Sequence, residues 1–98
     1  MKIKVNEAEG AVLDRLVNMA DGLHGVLAPV AYSSDWSFSG PIIERERIAC
    51  RYDSGLSVWW ATSEFWPQVC GRTPLIAAMR CFVMSRLGEE VEIPEELK

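Results

Sequence analysis

The sequence predicts a two-layer α+β domain: a small mixed or antiparallel sheet, with strands near residues 2–5, 47–52, 56–61 and 90–93, under two main helices at about 7–20 and 74–87. Two segments with helical apolar spacing, each bounded by capping residues, supply the helices. Two short alternating runs at the ends and one hairpin-like pair in the middle supply the strands. At 98 residues the chain is expected to fold as one domain over 1–98. A chain of this size buries roughly 60–65% of the surface that its unfolded form exposes, enough for one modest core.

KIKV opens the chain, with Ile3 and Val5 alternating with lysines as in a half-buried strand. Asn6 reads as a helix N-cap, and Glu9 three residues later completes a capping box. Leu13, Leu16, Val17 and Ala20 follow at helical spacing, with Asp14, Arg15 and Asn18 on the other side, and Gly22 is the expected stop. From Leu23 to Ser39 no period holds. Gly25, Pro29 and the serine-rich SSDWSFSG mark an irregular connection, and Trp36 in its middle favours a loop packed down onto the protein. Pro41 then suits the first position of a short helical turn through IIERE, with Ile42 and Ile43 inward and ERER as a solvated face.

IACRY and LSVWWA form the hairpin-like pair. A two-residue turn at Ser54-Gly55 would set each strand's apolar row against the other's polar row. A three-residue loop, Asp53-Ser54-Gly55 with Gly55 left-handed, instead pairs Tyr52 with Leu56, Cys50 with Val58 and Ile48 with Trp60. On that register Trp60 belongs to the core, while Trp59 points outward beside Ala49 with Arg47 and Arg51 in diagonal reach. TSEFWPQVCGR reads as a second irregular connection, with Pro67 blocking regular structure and Phe65 and Trp66 acting as a lid. The last helix has Thr73 as N-cap, Pro74 at its first position and Gly88 as stop. Its apolar stripe runs through Leu75, Ile76, Met79, Phe82, Val83 and Leu87, with Arg80, Ser85 and Arg86 away from it. EEVEIP closes the domain as a short edge strand ended by Pro94, a natural neighbour for KIKV.

Composition narrows the function classes. About half the residues are apolar and a quarter charged, as in an ordinary soluble domain. MKIKVNEAEG has no apolar stretch behind its lysines and no run approaches the ~20 residues of a membrane span, so the cytoplasm is the default location. A net charge of −4 disfavours duplex nucleic acid, which asks for clustered cations. Cys50, Cys70 and Cys81 lack CxxC spacing and read as reduced, small hydrophobes. The single histidine, His24, has no second histidine or nucleophile motif around it, and no phosphate loop is present, so no enzyme, metal or cofactor is expected. The candidate binding residues are then Trp59 with Arg47 and Arg51, where a ring between guanidinium groups can stack on a ligand. Trp36 and Asp35 in SSDWSFSG form a second candidate surface.

The stretches SSDWSFSGPIIERERI, TPLIAAMRCFVMSRLGEEVEIPEEL and MKIKVNEAEGAVLDRLV resemble the NinX family of lambdoid phages and prophages over nearly the whole chain. The resemblance implies a small cytoplasmic protein made in an infected or lysogenic bacterium. It carries no assigned biochemical activity and no catalytic residues. RYDSGLSVWWATSEFWPQVC is where the chain departs most from the family's pattern, so a role for Trp59 would be particular to this chain. Two functions follow: a noncatalytic protein-binding accessory factor acting on a host or phage protein, with a homodimer as one form, or a single-stranded nucleic-acid accessory factor using Trp59, Arg47 and Arg51.

Overall fold

A computed structural model describes residues 2–21 and 30–93. The order is β1 (Lys2–Lys4), a 3-10 turn (Val5–Glu7), α1 (Gly10–Ala20), α2 (Trp36–Glu46), β2 (Ala49–Asp53), β3 (Val58–Ser63), β4 (Trp66–Gly71), α3 (Pro74–Leu87) and β5 (Glu90–Glu92). This is a small α+β fold with two antiparallel sheets, β1–β5 and β2–β3–β4. The terminal strands pair as their alternation suggests, Ile3 opposite Val91. Gly22, His24, Gly25, Pro29 and Pro94 lie outside the described residues.

The last helix matches its sequence signals. Thr73 Oγ1 accepts from the Ile76 N–H at 3.1 Å, Pro74 opens the helix and Gly88 closes it at φ 91. Its surroundings do not match the expected stripe. α3 is buried on every side from Leu75 to Met84, because the three-stranded sheet packs on it and so do α1 and α2. Arg80, assigned by spacing to a polar side, is therefore only 6% exposed. Its Nε donates to the Ala8 carbonyl and its Nη1 to the Cys70 carbonyl, both at 2.9 Å, with Glu9 3.6 Å away. Burial lowers its pKa and Glu9 opposes that shift, but a guanidinium stays charged.

That contact also explains why the first helix begins later than its capping box suggests. Ala8 and Glu9 are extended and Gly10 is left-handed at φ 57, so α1 starts at Gly10 instead of residue 7. The break turns Val5 and Ala8 into the core and frees the Ala8 carbonyl for Arg80.

Two proline-containing stretches are regular where irregular structure is expected. α2 starts at Trp36, because the Asp35 side chain caps it by accepting from the Ser37 N–H at 2.9 Å. Buried Ser39 donates to the Tyr32 carbonyl, so Pro41 lies within an anchored helix. Glu46 is not part of a solvated face. Its carboxylate is buried and receives Arg86 at 2.7 Å and Arg45 at 2.9 Å, and both guanidinium groups lie over the Phe82 ring. β4 runs through Pro67, which an edge strand tolerates since one of its sides carries no ladder.

Close packing fixes the sheet against α3. A Cβ at Gly71 would lie 2.7 Å from the Ala77 backbone nitrogen and 2.8 Å from Ile76 Cγ2. Gly71→Ala should therefore lower the denaturation free energy by about 1–3 kcal/mol, as overpacking does. Arg80→Met should lower it by about 2–4 kcal/mol, since two carbonyls lose the donor that a buried side chain supplies. Urea unfolding followed by circular dichroism measures both.

Candidate functional site

The hairpin register decides which tryptophan is available. Arg51 faces Trp60, Tyr52 faces Trp59 and Asp53 faces Val58, so the expected pairing of Tyr52 with Leu56 is displaced by three residues. An odd displacement exchanges the faces of a strand. Residues 54–57 form a four-residue turn in which Ser57, not Gly55, is left-handed at φ 56. Asp53 holds that turn: its Oδ1 accepts from the Gly55 N–H at 2.9 Å and the Leu56 N–H at 3.1 Å.

The two rings therefore take opposite places from those expected. Trp59 stands opposite Gly71 on the side that packs against α3, half-buried against the core, its ring 5.3 Å from that of Tyr52. The outward placement of Trp59 between Arg47 and Arg51 is overturned. Trp60 is on the outer face. Its Nε1 donates to Asp53 Oδ2 at 3.1 Å and the Arg51 guanidinium lies 5.9 Å from its ring centre. Arg47 caps α2 in the left-handed region and pairs with exposed Glu64 at 3.3 Å, away from both rings.

Two grooves lie beside these elements. The first, about 520 Å³, runs between β4 and the β1–β5 ladder. Trp60 and Trp66 line it, with Gln68, Asn6, Glu89 and Glu90 among the other residues. Trp66 is not a lid on an irregular segment but the first residue of β4, opposite Ser63 beyond a bulge in the β3–β4 ladder. The second groove, about 440 Å³, holds the other sequence candidate. Trp36 is 54% exposed there, beside Asp14, Ser33, Arg72 and the start of α3, and it is not packed down as expected. Asp35 spends its carboxylate on the α2 cap, and its hydrogen bonds to Ser37 hold its pKa below the usual value. Asp14 accepts the Ser33 N–H at 2.8 Å and Arg72 pairs with Glu9 at 3.0 Å.

The structure brings Arg51 to a tryptophan and separates Arg47, Trp36 and Asp35 from it. Trp60 and Trp66 are the residues that pattern reading passed over. The signal that could have found Trp60 is DSGLS, where an aspartate able to cap two following N–H groups favours a longer turn over a glycine-centred one.

All three cysteines are free, and burial raises the thiol pKa of Cys50 and Cys81, which makes both poor nucleophiles. Among the described residues no group of three or more His, Cys, Asp or Glu is placed to hold a metal ion, and no helix is long and apolar enough to cross a membrane.

Residues 28–86 match the family model of bacteriophage P22, NinX, a span that includes α2, the whole β2–β3–β4 sheet and nearly all of α3. No curated protein matches the chain.

The Leu56 N–H and the Trp60 indole hold the Asp53 carboxyl below its ordinary value of 3.8. A folded value below the unfolded one gives stabilisation that is complete above the unfolded value and lost as pH falls through the folded one. The Trp60 indole N–H resonance should therefore stay constant from neutral pH to about pH 4 and move only below it. In Asp53→Asn that acid transition should be absent.

Proposed function

The chain belongs to the bacteriophage P22 NinX family, and on that footing we propose that it is a noncatalytic accessory protein of a phage or prophage, acting by binding another protein in the cytoplasm of the host bacterium. The observation that carries this reading is the outer face of the β2–β3–β4 sheet. α3 packs on one side of that sheet, and Trp60 is held in place on the other by Asp53 and Arg51. A tryptophan fixed before binding loses little rotamer freedom on contact, and such rings anchor protein interfaces.

The reading through single-stranded nucleic acid has less support. It asks for a ring free to stack beside uncommitted cations. Trp59 packs toward α3, Arg47 is bridged to Glu64 and Arg51 lies on Trp60. The net charge of −4 adds repulsion from phosphates.

Affinity capture from phage-infected bacteria tests the proposal, with wild-type, Trp60→Ala and Trp36→Ala proteins as baits after circular dichroism has verified their fold. We expect a protein retained by the wild type and by Trp36→Ala and lost with Trp60→Ala. An identical captured set for all three removes this surface as the binding face. Light scattering separates the homodimer form: a doubled mass that Trp60→Ala halves makes a second copy the partner, and a single-chain mass for both excludes it.

A further inference from the structure

We propose that the groove between β4 and the β1–β5 ladder receives the side chain of a lysine or arginine presented by the protein partner. This rests on the protein-binding reading above and adds the chemistry of what is bound.

The groove holds about 520 Å³, room for one long side chain and its flanking backbone. Val69 and Met84, both almost fully buried, contribute apolar surface to its lining, and the indoles of Trp60 and Trp66 contribute aromatic surface. Glu89 and Glu90, both exposed, add carboxylates to the same lining, and neither is in an ion pair with another described residue. Lys4 is the cation among the lining residues. It stands opposite Glu90 in the β1–β5 ladder, so among the described residues the lining carries two carboxylates against one ammonium group.

An aliphatic stem ending in a positive charge fits such a lining. The stem covers apolar surface, the cation meets electron-rich indole faces, and a carboxylate satisfies what remains. The protein's own Arg51 guanidinium already lies over Trp60, so Trp66 is the indole of the lining that an incoming cation meets. The net charge of −4 also draws a basic segment toward the protein before contact. An acidic ligand would meet repulsion from the glutamates. A neutral one would gain only the apolar contact.

The test titrates the full chain with three blocked tripeptides, each with a central residue between two glycines: lysine, norleucine or glutamate. The indole N–H resonances of Trp60 and Trp66 report binding. The expected result is a shift of both resonances by the lysine peptide, with an affinity about tenfold above that of the norleucine peptide. The glutamate peptide should give no shift. Glu89→Gln, a surface change that leaves the fold intact, should weaken the lysine peptide and leave norleucine unchanged. Trp66→Phe should weaken both while circular dichroism stays native. Equal binding of lysine and norleucine, or no response to lysine, overturns the proposal. If Trp60→Ala loses the captured partner while the lysine peptide gives no shift, only the cation slot falls. If Trp60→Ala still captures that partner, both readings fall.

Discussion

Everything in this fold is arranged around a positive charge in the wrong place. Arg80 sits in the middle of a helix buried on all sides, where a guanidinium is tolerated only if its donors are satisfied. The acceptors come from distant points of the chain: the Ala8 carbonyl, 72 residues away, and the Cys70 carbonyl, 10 residues away. One side chain therefore joins the break before α1, the edge strand β4 and the central helix. The placement of Trp66 and Gln68 along β4, and so the groove itself, follows from where that strand is tied.

A second buried charge works in the same way from the other side. Glu46 carries Arg45 and Arg86, and those guanidinium groups cover Phe82 while Arg45 reaches on to Asp21 at the end of α1. Ordered pairs of this kind contribute little net stability when exposed and demand good geometry when buried. Their effect here is positional: they set α2 against α3. With α1, α2 and the sheet all turned toward α3, α3 is the helix that packs on the sheet among the described residues, on the side away from Trp60.

Much of the architecture was legible in the residues. Thr73, Pro74 and Gly88 marked α3 to the residue, and the alternation of KIKV and VEI carried the pairing of the terminal strands. The differences have two physical causes, tertiary burial and local side-chain caps, neither of which apolar spacing registers. Spacing assigns Arg80 a polar side, but a helix enclosed on every side has none. Glycine is the usual occupant of a left-handed turn position, yet Ser57 holds it because the Asp53 carboxylate has already organised the turn. That one displacement moved Trp59 inward and Trp60 outward, and the candidate site moved with them. Spacing puts Pro41 at the start of a short helical turn and Pro67 in an irregular connection, yet each lies inside a regular element. A capped, anchored helix accommodates the first and an edge strand the second. Nothing in a period-based reading pairs Trp66 with the β1–β5 ladder, because that proximity exists only after the two sheets are assembled.

Pro67 has one more effect. β4 ends its sheet, and an open strand edge offers a row of backbone donors and acceptors that foreign strands can extend into a continuous stack. An imide nitrogen has no hydrogen to offer, so β4 has one backbone donor fewer at position 67. The flank beside the groove is thereby poorly suited to lateral growth of the sheet, and recognition there falls to side chains instead of a shared backbone ladder.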